Sequence, residues 1–201
     1  VILLTIIFSF CSSVDTVDIN IELIDEIIYV DRSKSGTVDV GIRITNNSEK
    51  NLLLYNLKTE PDQAFFEESF YCNEEIAARP SIIIYDQNME QIQSRPRIPP
   101  EINYRPITEE VIGEVIFTER IKFRNALQVV PAESTVELSL PVRLNQFPFE
   151  PGVYLMRLVY SSGTNSFNMI SQEQVDDDKS KHESEMFSGC ISSNIIKLSV
   201  K

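Results

Sequence analysis

The strongest constraint in this sequence is an apolar repeat of period two, which a helix cannot gather on one side. Val38, Val40, Ile42 and Ile44 alternate with Asp39, Gly41, Arg43 and Thr45. Val136, Leu138, Leu140, Val142 and Leu144 alternate with Glu137, Ser139, Pro141 and Arg143. Ile19, Ile21 and Leu23 repeat the pattern early in the chain, and Ile196, Leu198 and Val200 repeat it late. Each stretch predicts a strand with one face in a core and the other in water. Leu52 to Leu57, Ser81 to Tyr85 and Val153 to Tyr160 are apolar on both faces, which predicts central or covered strands. Pro141 falls on the outward phase of its strand and has no N–H for a ladder, so that strand is expected at an edge or with a bulge. Asp31 to Gly36, Asn46-Asn47-Ser48 and Pro131-Ala132-Glu133 supply turns between them. About seven short strands separated by such turns predict an all-β chain, folded as two antiparallel sheets packed face to face.

Glu150-Pro151-Gly152-Val153-Tyr154-Leu155-Met156 resembles the tyrosine corner of immunoglobulin-like domains. The resemblance implies that Tyr154 returns its hydroxyl to the turn backbone near Gly152, and that Met156 occupies the position of the second core cysteine of antibody domains. With no Trp in the chain and no matching cysteine pair, it points to an immunoglobulin-like sandwich of the wider bacterial extracytoplasmic kind. It covers about 19–57 and 134–201. Residues 19–201 are therefore expected to form one domain, with insertions at about 59–80, 94–126 and 162–189. The first insertion mixes Phe65, Phe66 and Phe70 with acids and reads as a short helix over one end of the sandwich. The stretch Ser94 to Pro106 carries four prolines and reads as an extended crossing. Thr108 to Arg124 is ambiguous: Ile121-Lys122-Phe123-Arg124 alternates, whereas Thr108-Glu109-Glu110 suits the start of a helix. The polar stretch Ser162 to Gly189 reads as a mobile loop.

Val1 to Phe10 is an uncharged apolar run. It is too short to span a bilayer, which takes roughly 20 residues, and it has the length of the apolar region of an export signal. Residues 1–13 are read as that signal and 14–18 as a linker. Phe8-Ser9-Phe10-Cys11 resembles the end of a bacterial lipoprotein signal. That resemblance implies lipid on Cys11 and attachment to the membrane through the lipid alone. Cys11 and Ser13 also form the small-x-small pair of ordinary signal cleavage, which would release Cys11. Both routes place the protein outside the cytoplasm, lipid-anchored in the cell envelope or else periplasmic or secreted. Either leaves Cys72 and Cys190, which can form a disulfide in an oxidising compartment or remain as two buried thiols.

Thirty acidic against eighteen basic residues give a net charge of -12, which argues against nucleic acid as a partner. The one His, His182, stands in a polar stretch beside Glu183 and Ser184 and reads as solvated. The six glycines form no phosphate-binding loop, zinc-ligand spacing is absent, and nothing selects a catalytic carboxylate pair. No cofactor is expected. Two acidic clusters, one around Glu67 and Glu68 and one around Asp176, Asp177 and Asp178, read as solvated loops, with calcium as the alternative. Tyr29, Tyr55, Tyr71, Tyr85 and Tyr104 could stack on sugars but read mainly as sheet or core residues. Asp15-Thr16-Val17 resembles a short bacterial O-glycosylation motif. The expectation is a non-catalytic interaction or accessory module of the bacterial cell envelope, with an envelope protein or glycan as partner. The alternatives are a glycan-binding or calcium-dependent module, or a hydrolase using the acidic insertions.

Overall fold

The computed structural model describes residues 19–31, 37–58, 61–63, 78–94, 109–145, 147–163 and 170–201. The expected signal and linker, Cys11, Cys72, Tyr71, Tyr104, the acids around Glu67 and most of the proline-rich crossing lie outside those residues. The described chain is mostly β. Its strands are β1 (Ile19–Leu23), β2 (Ile27–Val30), β3 (Thr37–Asn46), β4 (Asn51–Leu54), β5 (Asp62–Gln63) and β6 (Arg79–Tyr85), followed by β7 (Gln128–Val130), β8 (Ser134–Arg143), β9 (Gly152–Ser162), β10 (Ser184–Met186), β11 (Gly189–Ser192) and β12 (Ile196–Val200). Two helices interrupt them, α1 (Glu109–Asn125) and α2 (Gln172–His182). Neither is long and apolar enough to cross a membrane.

Three sheets form, with orders β1-β3-β8, β10-β4-β7 and β2-β12-β9-β6-β5, and β11 also pairs with β9. Ile42 and Ile44 of β3, Leu140 of β8, Ile84 of β6, Met156 of β9 and Leu198 of β12 share one core, so the first and third sheets turn their apolar faces to common ground. β8 is an edge strand and its Pro141 is exposed, in keeping with the missing N–H. The expectation of two purely antiparallel sheets needs correction. β12 pairs with β2, β10 with β4 and β5 with β6 in parallel. The first of these arises because the chain leaves β1 and, after Ile24–Glu26, joins the other sheet beside β12. Asn194 ties that crossing down: its amide receives Leu23 N at 2.7 Å and donates to Leu23 O at 3.2 Å. Beside it, Ser193 exchanges hydrogen bonds with Leu158, through its backbone N to Leu158 O and through its Oγ from Leu158 N.

The expected loop over 162–189 also needs correction, because it contains α2 and β10. Ser171 and Gln174 close a capping box at the start of α2, each side chain accepting from the other's backbone N–H. Only Val175 and Asp178 of α2 are buried, so its sequence shows almost no apolar period. The ambiguous segment resolves as a helix: α1 docks Phe123, whose ring stacks on Tyr55 with centroids 5.8 Å apart.

β3 and β8 pair from Thr37 and Arg143 to Asn46 and Ser134, and beyond a bend the same two chain segments pair again as β4 and β7. The fully buried Asn46 amide holds this bend. Its Nδ2 donates to the carbonyls of Lys50, Val130 and Pro131 at 2.8, 3.1 and 3.0 Å, and its Oδ1 accepts from Ser48 N and Ser48 Oγ. Unmade hydrogen bonds of buried groups cost about 1–3 kcal/mol each. Asn46→Ala should therefore lower unfolding stability by about 2–4 kcal/mol, because several partners are orphaned together. Asn46→Asp should cost more at neutral pH, since a carboxylate would face three carbonyl oxygens, and less as acid protonates it. Denaturant unfolding at two pH values measures both, and equal stability of Asn46→Asp and the parent at neutral pH would contradict this role.

Candidate functional site

Tyr154 lies on β9 with its hydroxyl on the Glu150 backbone, donating to Glu150 O and accepting from Glu150 N, both at 3.0 Å. Its ring packs on Phe149, with centroids 4.7 Å apart. Gly152, at the head of the strand, has the Tyr154 ring 4.0 Å from where a Cβ would stand. These contacts fix the turn from which β9 starts.

The three adjacent acids of α2 face different ways. Asp178 is 3% exposed and accepts from Tyr55 at 3.0 Å and from two nitrogens of Arg124 at 2.6 and 3.2 Å. Asp177 is exposed and meets the same guanidinium at 3.4 Å, and the exposed Asp176 accepts from Gln172. The buried position of Asp178 is occupied by a cation of the chain itself. Among the described residues, no group of three or more His, Cys, Asp or Glu side chains is placed to hold a metal ion. The network extends inward, because Tyr160 donates to the Tyr55 carbonyl at 2.8 Å. It joins both helices to the end of β4 and to β9. His182 ends α2, and its carbonyl receives Asn51 Nδ2 at 2.9 Å. Cys190 sits on β11 and is disulfide-bonded, with its partner outside the described residues.

An open surface lies elsewhere, on the outer face of the six-stranded sheet. The register places Ile27 beside Lys197, Lys197 beside Leu155 and Leu155 beside Tyr85, while Tyr29 neighbours Ser199 and Ser199 neighbours Val153. These side chains point away from the core because Ile28, Val30, Met156, Leu198 and Val200, on the other phase, are buried. Tyr29 is 66% exposed, and Ile27 and Val153 are each 42% exposed. Lys201 brings its ammonium to 5.6 Å from the Tyr29 ring centroid. Toward the other end of the same face, Ile83 and Val159 are fully buried, with Tyr85 and Cys190 packed against them. The face is thus covered at one end and open at the other. A cleft of about 240 Å³ borders the open end, lined by Ile24, Asp25, Ile27, Asn194 and Lys197 among others. A second exposed apolar group, Ile116, Phe117 and Ile121, lies on α1 among charges of both signs.

Of the tyrosines considered as sugar platforms, Tyr29 is exposed, Tyr85 half-buried and Tyr55 buried. The sequence reading missed Ile27, Lys197 and Lys201 as parts of one surface. Ile27-Ile28-Tyr29-Val30 is apolar on both phases, and such a short strand with an outward Tyr and Ile was the available signal. Comparison of the chain with protein-family models and with curated proteins finds no match.

Tyr154→Phe removes only the hydroxyl and should cost about 0.5–1.5 kcal/mol in denaturant unfolding, the worth of a typical net hydrogen bond; unchanged stability would show that the ring alone matters. Burial, and for Tyr55 the hydrogen bond to Asp178 as well, raises the phenols of Tyr55 and Tyr160 above the ordinary tyrosine range. A group whose folded pKa is raised stabilises the fold fully below its unfolded pKa, here about 10, and loses that contribution as pH climbs toward the folded value. Stability should fall above pH 10 by up to about 1.4 kcal/mol per pH unit for each. In an ultraviolet titration, two tyrosines should ionise only as the chain unfolds; ionisation of all seven with native circular dichroism would refute this.

Proposed function

We propose that this protein is a non-catalytic interaction module of the bacterial cell envelope, attached by lipid on Cys11 and built as an immunoglobulin-like sandwich. The observation that carries the reading is the open outer face of the β2-β12-β9 region, where Ile27, Tyr29 and Val153 are exposed together. Clustered exposed apolar side chains on a sheet face mark a place where another molecule docks. The strand orders β1-β3-β8 and β2-β12-β9-β6, together with the early crossing from one sheet to the other, support the immunoglobulin-like reading. So does the hydroxyl of Tyr154 on the Glu150 backbone. The apolar run ending at Cys11 supports export and lipidation. Cys72 is the partner proposed for Cys190.

A photo-crosslinking residue at position 29, in the full chain expressed in its native cells, should give a discrete adduct; the same residue at Glu137, on the opposite sheet, should not. In the same cells fatty acid should label the protein, and Cys11→Ser should abolish the label. No adduct at position 29, or equal adducts at both positions, would overturn the docking surface. A soluble, unlabelled protein beginning at Val14 would replace the lipid anchor with ordinary signal cleavage.

A further inference from the structure

We propose that the open face of the six-stranded sheet binds an anionic polysaccharide, with the Tyr29 ring stacking on a sugar and the Lys197 and Lys201 ammonium groups receiving its carboxylates. The inference rests on the docking surface proposed above and names its ligand. The argument begins with charge. The chain has thirty acids and eighteen bases, yet the outward positions of β2, β12 and β9 at this end hold no Asp or Glu. They are Ile27 and Tyr29, Lys197 and Ser199, and Val153 and Leu155, with Lys201 just beyond β12, while the exposed acids Asp25 and Glu26 stand at the rim beside the cleft. The outward face of the opposite sheet differs: there Arg43 meets Glu137 at 2.8 Å and Glu22 at 3.6 Å, so its charges are spent on one another. Lys197 and Lys201 form no ion pair with a described residue, and Lys201 instead lies over the Tyr29 ring.

A positive, partly apolar patch on an otherwise negative molecule selects an anionic ligand that touches the patch alone. A second copy fails this condition, because it would set lysines against lysines and bring two chains of charge -12 together. An anionic bilayer fits it less well, since a plane wider than the patch also meets the exposed acids at its rim, Asp25, Glu26 and Asp31, within a Debye length. An extended polymer strand satisfies it. The C–H face of a pyranose packs on an exposed aromatic ring, and a carboxylate beside that ring pairs with an ammonium. Ile27 and Val153, flanking the lysine row, supply further apolar contact.

The test is affinity electrophoresis of the full chain through gels containing polygalacturonate, with neutral dextran as the uncharged control. Polygalacturonate should retard the protein and dextran should not. Raising salt from about 50 to about 300 mM should weaken the retention at least tenfold, as screening requires. Tyr29→Ala, or Lys197→Glu with Lys201→Glu, should weaken it at least tenfold, while Tyr29→Phe and the distant Lys50→Glu should keep it. Tyr29 and both lysines are exposed, and thermal unfolding of each variant confirms that it is folded. Absence of retention, or retention indifferent to the Tyr29 and lysine variants, would overturn the inference. Sedimentation with phosphatidylglycerol vesicles that is lost in those variants, without polygalacturonate retention, would assign the face to a membrane instead. A protein adduct at position 29 in cells, with no polymer retention, would leave the docking surface standing and remove the polysaccharide.

Discussion

One buried amide sets the course of both long strands. β3 and β8 could continue as a flat ladder, but at Asn46 and Ser134 they turn, and the turn exposes carbonyls that neither strand can satisfy. The Asn46 side chain supplies the missing donors to Lys50, Val130 and Pro131 and takes the Ser48 N–H in exchange. Asn51 helps from the other side, accepting from Ala132 N at 2.9 Å. Because buried backbone groups must be paired, the Asn46 amide stabilises the bend, most directly through its bond to the buried Val130 carbonyl. Beyond the bend β4 and β7 form a separate sheet, β10 adds to β4, and Tyr55 arrives directly after β4 where the helices can reach it.

At Tyr55 a second polar joint takes over. A buried carboxylate is costly unless it is paired and hydrogen-bonded, and Asp178 has both an arginine and a tyrosine hydroxyl. Arg124 comes from α1, Tyr55 follows β4, and Asp178 belongs to α2, so the pairing can be complete only when all three elements are in place. Much of its effect is therefore on geometry. A leucine at position 178 could bury comparable apolar area, but it would not demand that particular guanidinium opposite.

These two joints also explain where the sequence was readable. The strands showed themselves because each half-buried one repeats an apolar residue at every second position, as β3 and β8 do from Val38 and from Val136. The alternation carries no direction, however, so the parallel pairing of β2 with β12 could not be read from it. α2 was hidden because one of its two buried positions holds an acid, and an acidic triplet resembles a solvated loop until Arg124 is known to face it. The open face was hidden for the opposite reason. Ile27 and Tyr29 look like core residues, and Lys197 and Lys201 look like an ordinary solvated edge; only the register brings them side by side.

The outer phase of β9 shows why cover, and not composition, separates structure from surface. Val153 and Val159 are the same residue type on the same face of one strand, yet the first is 42% exposed and the second fully buried. Their intrinsic tendency to leave water is equal, so the difference lies in what lies over them. Where the cover ends, the chain leaves apolar area in water and sets two ammonium groups, Lys197 and Lys201, along it, although its composition offers carboxylates more often. Carboxylates there would keep the face soluble equally well while repelling anions. Lysines keep it soluble and draw anions in, and that sign, on this one face of an acidic protein, is what gives the open surface a direction of selectivity.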